Sequence, residues 1–196
     1  MKLFIVIIIG ILTSPFVFSS EDLDQYLFFN GVELEKSKIS DVQKRFGSTE
    51  VKKEGDAADS YAGICYRLPN KNSTVYFESG EMGGGNIILT FKVLLEDESK
   101  FLCKEIEGVG VLELKLGTLS LEMDLSDAIK SLPLNTHTRR GLRFTYWNKI
   151  PFTKKQLAET GIEGLESAFW DEYITIDLIG KGNMLTGFQV SKVTVW

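Results

Sequence analysis

The chain aligns with itself at two offsets, and this self-similarity constrains its folding more than any single motif. Gly31 leads through Val32, Glu33, Leu34 and Ser37 into Ile39-Ser40-Asp41-Val42-Gln43-Lys44-Arg45-Phe46-Gly47. Gly117, 86 positions later, leads into Leu125-Ser126-Asp127-Ala128-Ile129-Lys130-Ser131-Leu132-Pro133. Further on, Asn86 to Val93 resembles Asn183 to Val190 at an offset of 97, each preceded by glycines and by an alternating strand, Thr74 to Glu78 or Tyr173 to Leu178. The growth of the offset puts about eleven extra residues in the second copy. They fall between Ile150 and Ser167, where Thr153 to Leu157 has the pattern of a capped helix start.

Apolar spacing assigns the elements. Ile39, Val42 and Phe46 stand at i, i+3 and i+7, and Leu125, Ala128, Ile129 and Leu132 at i, i+3, i+4 and i+7, so each copy holds one short amphipathic helix. Ser37 or Ser40 is expected to cap the first, Ser40 with Gln43 as an S-x-x-Q box, and Asp124 or Ser126 the second. Gly47 and Pro133 are expected to stop them. Tyr61 to Leu68 and Leu142 to Trp147 supply one more strand each. The expected fold is α+β, with two similar halves over residues 21–108 and 109–196. Each half would be a strand, a short helix packed on the sheet and three antiparallel strands, with a helical insertion in the second half.

Residues 1–20 read as an export signal. Lys2 precedes an apolar run from Leu3 to Leu12, and Val17 and Ser19 occupy the positions a signal peptidase reads. A bilayer span needs about 20 apolar residues, whereas Gly10, Thr13, Ser14 and Pro15 interrupt this stretch. No cysteine stands at its end to carry a bacterial lipid. The mature chain is therefore expected to be periplasmic or secreted and not membrane-anchored. In such an oxidising compartment Cys65 and Cys103, the only cysteines, are expected to form one structural disulfide. Closing that loop is worth about 4 kcal/mol on the chain-entropy account.

Loss of Lys2 moves the net charge from -5 to -6, which argues against nucleic acid as a partner. Two cysteines and the single histidine, His137, fall short of a four-ligand zinc site, and neither a metal nor a cofactor is expected. Gly83-Gly84-Gly85 lacks the G-x-x-x-x-G-K-[ST] order and reads as a hairpin turn. The serines lack a G-x-S-x-G elbow. Carboxylates cluster near strand ends at Glu78, Glu81, Asp171 and Glu172. A small hydrolase of envelope glycans using a pair such as Glu78 and Asp171 is therefore the alternative reading.

Arg139 to Lys149 is the most unusual local composition, basic and aromatic together. On a strand, Leu142, Phe144 and Tyr146 share one face, and Arg143, Thr145 and Trp147 the other. Trp170, Tyr173 and Trp196 are aromatic neighbours in the same half. Arg143, Tyr146, Trp147, Trp170 and Tyr173 form the candidate surface for a protein partner. The leading expectation is an exported, non-catalytic protein-binding module of the bacterial envelope, of inhibitor, assembly or immunity type.

The segments Gly31 to Gly47, Gly117 to Pro133 and Thr153 to Leu157 resemble the glycine, capped helix and glycine or proline stop of the BamE (SmpA, OmlA) outer-membrane assembly lipoproteins. The two-copy layout is similar to that of the beta-lactamase inhibitory protein family. The resemblance implies a tandem α+β fold and a protein partner. With no lipidated cysteine, it does not imply BamE-type anchoring.

Overall fold

In the computed structural model, residues 21–55, 61–68, 71–80, 82, 84–95, 103–106, 113–133, 137–161 and 167–195 are described. Residues 1–20, read above as an export signal, and Glu81, Gly83 and Trp196 lie outside the described residues. The first elements are α1 (Glu21–Asp24), β1 (Phe28–Phe29), β2 (Val32–Glu33), α2 (Ile39–Phe46), β3 (Lys52–Glu54), β4 (Tyr61–Leu68), β5 (Ser73–Gly80) and β6 (Thr90–Leu95). There follow β7 (Lys104–Glu105), β8 (Lys115–Leu116), β9 (Leu119–Ser120), α3 (Leu125–Ser131), β10 (Thr138–Arg140), β11 (Arg143–Pro151), α4 (Lys154–Glu159), β12 (Phe169–Lys181) and β13 (Met184–Val195).

The expected pair of helix-on-sheet units is not what forms. Among the described residues strand accounts for 52% and helix for 17%, and they form mainly one antiparallel sheet. Nine strands join in the order β10-β11-β12-β13-β6-β5-β4-β3, with β7 running parallel to β4 beside β3. The seam is the pairing of β13 with β6, from Gly187 opposite Leu94 to Ser191 opposite Thr90. Outward from that seam the chain order descends on both sides, β6-β5-β4-β3 and β13-β12-β11-β10.

The reason is the amount of apolar surface. β12 and β13 run for 13 and 12 residues, and the helices available to cover the sheet have at most 8. A helix of that length spans about 12 Å, so it cannot cover such strands alone. The small hairpins β1-β2 and β8-β9 therefore share the work, and one apolar core spans both halves. It includes Phe29, Val42 and Phe46 from the first and Leu119, Ala128 and Leu132 from the second, against Phe77, Phe91, Ile176 and Phe188 of the sheet. Tyr26, fully buried, ties the covering layer together: its hydroxyl lies 2.6 Å from Thr118 Oγ1 and 3.3 Å from the Ser131 carbonyl.

Local signals form the helices mostly as read. Asp124 caps α3, its carboxylate accepting from the Ser126 and Asp127 amides. Thr153 and Gln156 form a reciprocal capping box on α4. The cap of α2 differs from expectation. Lys38 is the N-cap residue and the Asp41 carboxylate accepts from its amide, while the Ser37 hydroxyl accepts instead from the Glu33 amide. Gly47, at φ +93°, ends α2. The strand expected from Asn86 begins only at Thr90. Asn86 to Ile88 turn away to bond the start of α2, through Ile39 N to Asn86 O and Ile88 N to Ser37 O.

Candidate binding face

Strand alternation gives the sheet two different faces. Ala62, Ile64 and Tyr66 of β4, Val75 and Phe77 of β5, Phe91 and Val93 of β6, and Phe144 and Tyr146 of β11 point into the main core. The intervening residues make the second face, and the registers align them in ranks whose neighbouring members are about 4.8 Å apart. Arg143, Asp177, Gln189, Lys92, Tyr76 and Cys65 are successive partners across β11, β12, β13, β6, β5 and β4. The next rank is Thr145, Thr175, Ser191, Thr90, Glu78 and Gly63. Within it the Thr90 and Ser191 hydroxyls are 2.9 Å apart. A third rank starts with Trp147 opposite Tyr173.

This face closes at one end and opens at the other. Cys65, Tyr76 and Leu94 are buried in a second small cluster with Cys103, to which Cys65 is disulfide-bonded. At the other end Trp147 is 40% and Tyr173 37% exposed.

The open end is ordered by polar contacts. Arg143 forms a two-pronged ion pair with Asp177, Nε to Oδ1 at 2.6 Å and Nη2 to Oδ2 at 2.9 Å. This hydrogen bond and charge raise the guanidinium pKa further above its usual value. Trp147 Nε1 donates to Asp171 Oδ1 at 2.9 Å. Lys149 Nζ lies 5.2 Å from the Trp147 ring centre and 5.8 Å from that of Phe169, and the His137 ring is 5.3 Å from that of Trp147.

The structure brings together three of the expected surface residues, Arg143, Trp147 and Tyr173. Tyr146 belongs to the opposite face, where it is buried and its hydroxyl donates to the Pro133 carbonyl at 3.2 Å. Burial pushes its phenol pKa up. Trp170 pairs with Ile150 at an opposite-face position and stacks on Phe152 at 4.8 Å between ring centres. Sequence reasoning did not assign orienting roles to Asp171, Asp177 and Lys149. The signal for the two aspartates was their even spacing from Tyr173 along one strand, which carries meaning only once the pairing partner is known.

The carboxylates named for a hydrolase do not converge. Glu78 on β5 and Asp171 on β12 are three strand spacings apart, at least about 14 Å, against the ~5–9.5 Å separating glycosidase carboxyl pairs. Burial raises the Glu78 pKa, opposed by a hydrogen bond from the Tyr61 hydroxyl at 3.3 Å and by the Lys92 charge. Asp171 instead holds the Trp147 indole. Among the described residues no group of His, Cys, Asp and Glu side chains is arranged to hold a metal ion, and no helix is long and apolar enough to cross a membrane. No protein family, curated protein or solved structure matches the chain.

Proposed function

We propose that this is an exported, non-catalytic protein-binding module whose contact surface is the open end of the second sheet face, around Trp147, Tyr173 and Arg143. The observation that carries the reading is the directly opposed pair Trp147 and Tyr173 on adjacent strands, exposed although large and aromatic. Aromatic and arginine side chains dominate the energetics of protein contacts because they bury a large area for few rotatable bonds. Here the indole is held by Asp171 and the guanidinium by Asp177, so binding would freeze little additional freedom. The disulfide fits the oxidising compartment to which residues 1–20 point. The resemblance to the inhibitory and assembly families also implies a protein partner.

The test is retention of a partner from envelope extract on the immobilised protein. Replacing Arg143 and Trp147 together by Ala is expected to reduce affinity by about thirtyfold or more, as a loss of hot-spot contacts does. Trp170→Ala, on the opposite face, is expected to leave retention in place. Failure of the wild type to retain any partner, or equal retention by the double variant, would overturn the reading.

A further inference from the structure

From Ala128 to Ala158 the chain contains no Asp or Glu, although at its average density about four would fall there. The same stretch carries Lys130, Arg139, Arg140, Arg143, Lys149, Lys154 and Lys155 in a protein of net charge -5. The fold places four of these bases, Arg139, Arg140, Arg143 and Lys149, along one border of the sheet, on β10 and its neighbour β11. Arg139, Arg140, Arg143 and Lys149 are all exposed there.

The charges on this border are only partly neutralised. Arg143 has Asp177. Arg139 instead lies over the Phe144 ring at 4.9 Å, with its Nε donating to the Gly141 carbonyl, and Lys149 lies over Trp147 and Phe169. Rings position a cation without cancelling its charge. Among the described residues neither Arg140 nor Lys149 pairs with a carboxylate. The other border is different: Lys52 of β3 pairs with Glu54 at 3.3 Å, and Lys104 of β7 is followed by Glu105. One edge interleaves acidic with basic residues, Lys52-Lys53-Glu54 and Lys104-Glu105, and the other carries bases alone beside the exposed Trp147.

We propose that the β10-β11 border docks an acidic segment of a protein partner, whose carboxylates meet Arg140, Arg143 and Lys149 while an apolar side chain lies against Trp147. This rests on the protein-binding reading above and names the chemistry of the partner. Arg140 and Lys149, exposed and without a carboxylate partner among the described residues, gain an opposite charge in the complex, while Arg143 keeps Asp177 and offers its remaining Nη1 donor. The negative remainder of the chain would turn this border toward an acidic surface and disfavour other orientations.

The probes are poly-L-glutamate and poly-L-lysine of equal length and dextran sulfate of equal charge, followed by tryptophan fluorescence. Poly-L-glutamate is expected to bind, to weaken with salt, and to lose about tenfold in affinity when Arg140→Glu and Lys149→Glu are combined. Lys44→Glu on α2, an exposed reversal elsewhere, is expected to have no such effect. Because the reversed side chains are exposed, an unchanged thermal midpoint checks that the variant folds. Absent poly-L-glutamate binding, equal binding of poly-L-lysine, or indifference to the double reversal would overturn the proposal. So would a preference for dextran sulfate, which would assign the border to an anionic glycan. If envelope extract yields a partner that depends on Trp147 but not on Arg140 and Lys149, the protein-binding reading stands and this inference falls. If poly-L-glutamate binds as expected but no partner is retained, the acidic-ligand site stands and the protein-binding reading falls.

Discussion

At the β4-β5 end of the sheet, side chains are buried on both faces. Ile64, Tyr66 and Phe77 fill the main core, while Cys65 and Tyr76 are covered on the other side. At the β11-β12 end only one face is buried: Phe144, Tyr146, Ile174 and Ile176 are core, whereas Arg143, Trp147 and Tyr173 meet solvent. Both ends use the same alternation, so strand pattern does not separate them. The difference lies in what else is brought to the sheet. Cys103, disulfide-bonded to Cys65, packs with Tyr76 and Leu94 on the second face at one end, whereas Trp147 and Tyr173 at the other end are exposed. One end is thus built for stability and the other left available for contact.

The sharpest test of that contrast is to truncate an aromatic side chain at each end. Phe77 is 1% exposed and packs near Phe29, Phe46 and Tyr66, so Phe77→Ala is expected to cost about 3–5 kcal/mol in denaturant unfolding. A cost below about 1 kcal/mol would break the comparison at its stable end. Removing the staple by replacing Cys65 and Cys103 with Ala is expected to cost about 2–4 kcal/mol, read by the same measurement. An unchanged midpoint would mean that β7 holds its place without the bond.

A smaller effect is expected from Glu78, which sits on β5 at the second face. Burial raises its folded pKa above the ordinary value of 4.5, against the Tyr61 hydrogen bond and Lys92. The native state therefore favours the protonated acid. Its contribution is fully present below about 4.5 and is lost as pH rises through the raised folded value. Glu78→Gln should flatten that decline and leave the protein more stable than wild type at neutral pH, measured as denaturation midpoints across the acid-to-neutral range. Parallel curves for the two proteins would refute the assignment. The smallest effect is at the open end. Trp147→Ala and Arg143→Ala should each cost under about 1 kcal/mol of stability, because Trp147 is half exposed and the Arg143 ion pair is open to solvent. A larger loss would make these residues structural rather than contact residues.

Much of the candidate face was legible one strand at a time. That Arg143 and Trp147 share a side and Tyr146 does not follows from a period of two and nothing else. Placing Trp170 beside them failed because residues 170 and 173 differ by an odd number, so their side chains leave opposite faces of β12. The Glu78 and Asp171 pair failed for another reason: their distance depends on how many strands separate β5 from β12. No local pattern encodes that number.

The order of strands also explains why two helix-on-sheet units did not form. Ile39, Val42 and Phe46, or Leu125 and Ala128, specify an amphipathic helix through contacts within two turns of chain. Gly47, Asp124 and the Thr153–Gln156 box mark helix ends through neighbouring backbone groups. The sequence by itself determined these because their causes act within a few residues. Only the tertiary structure decided that β6 pairs with β13, that one core serves both halves and that a single border of the sheet gathers Arg139, Arg140, Arg143 and Lys149. Backbone hydrogen-bonding groups are alike in every strand, so the choice of neighbour falls to the apolar surface that the assembled chain must cover.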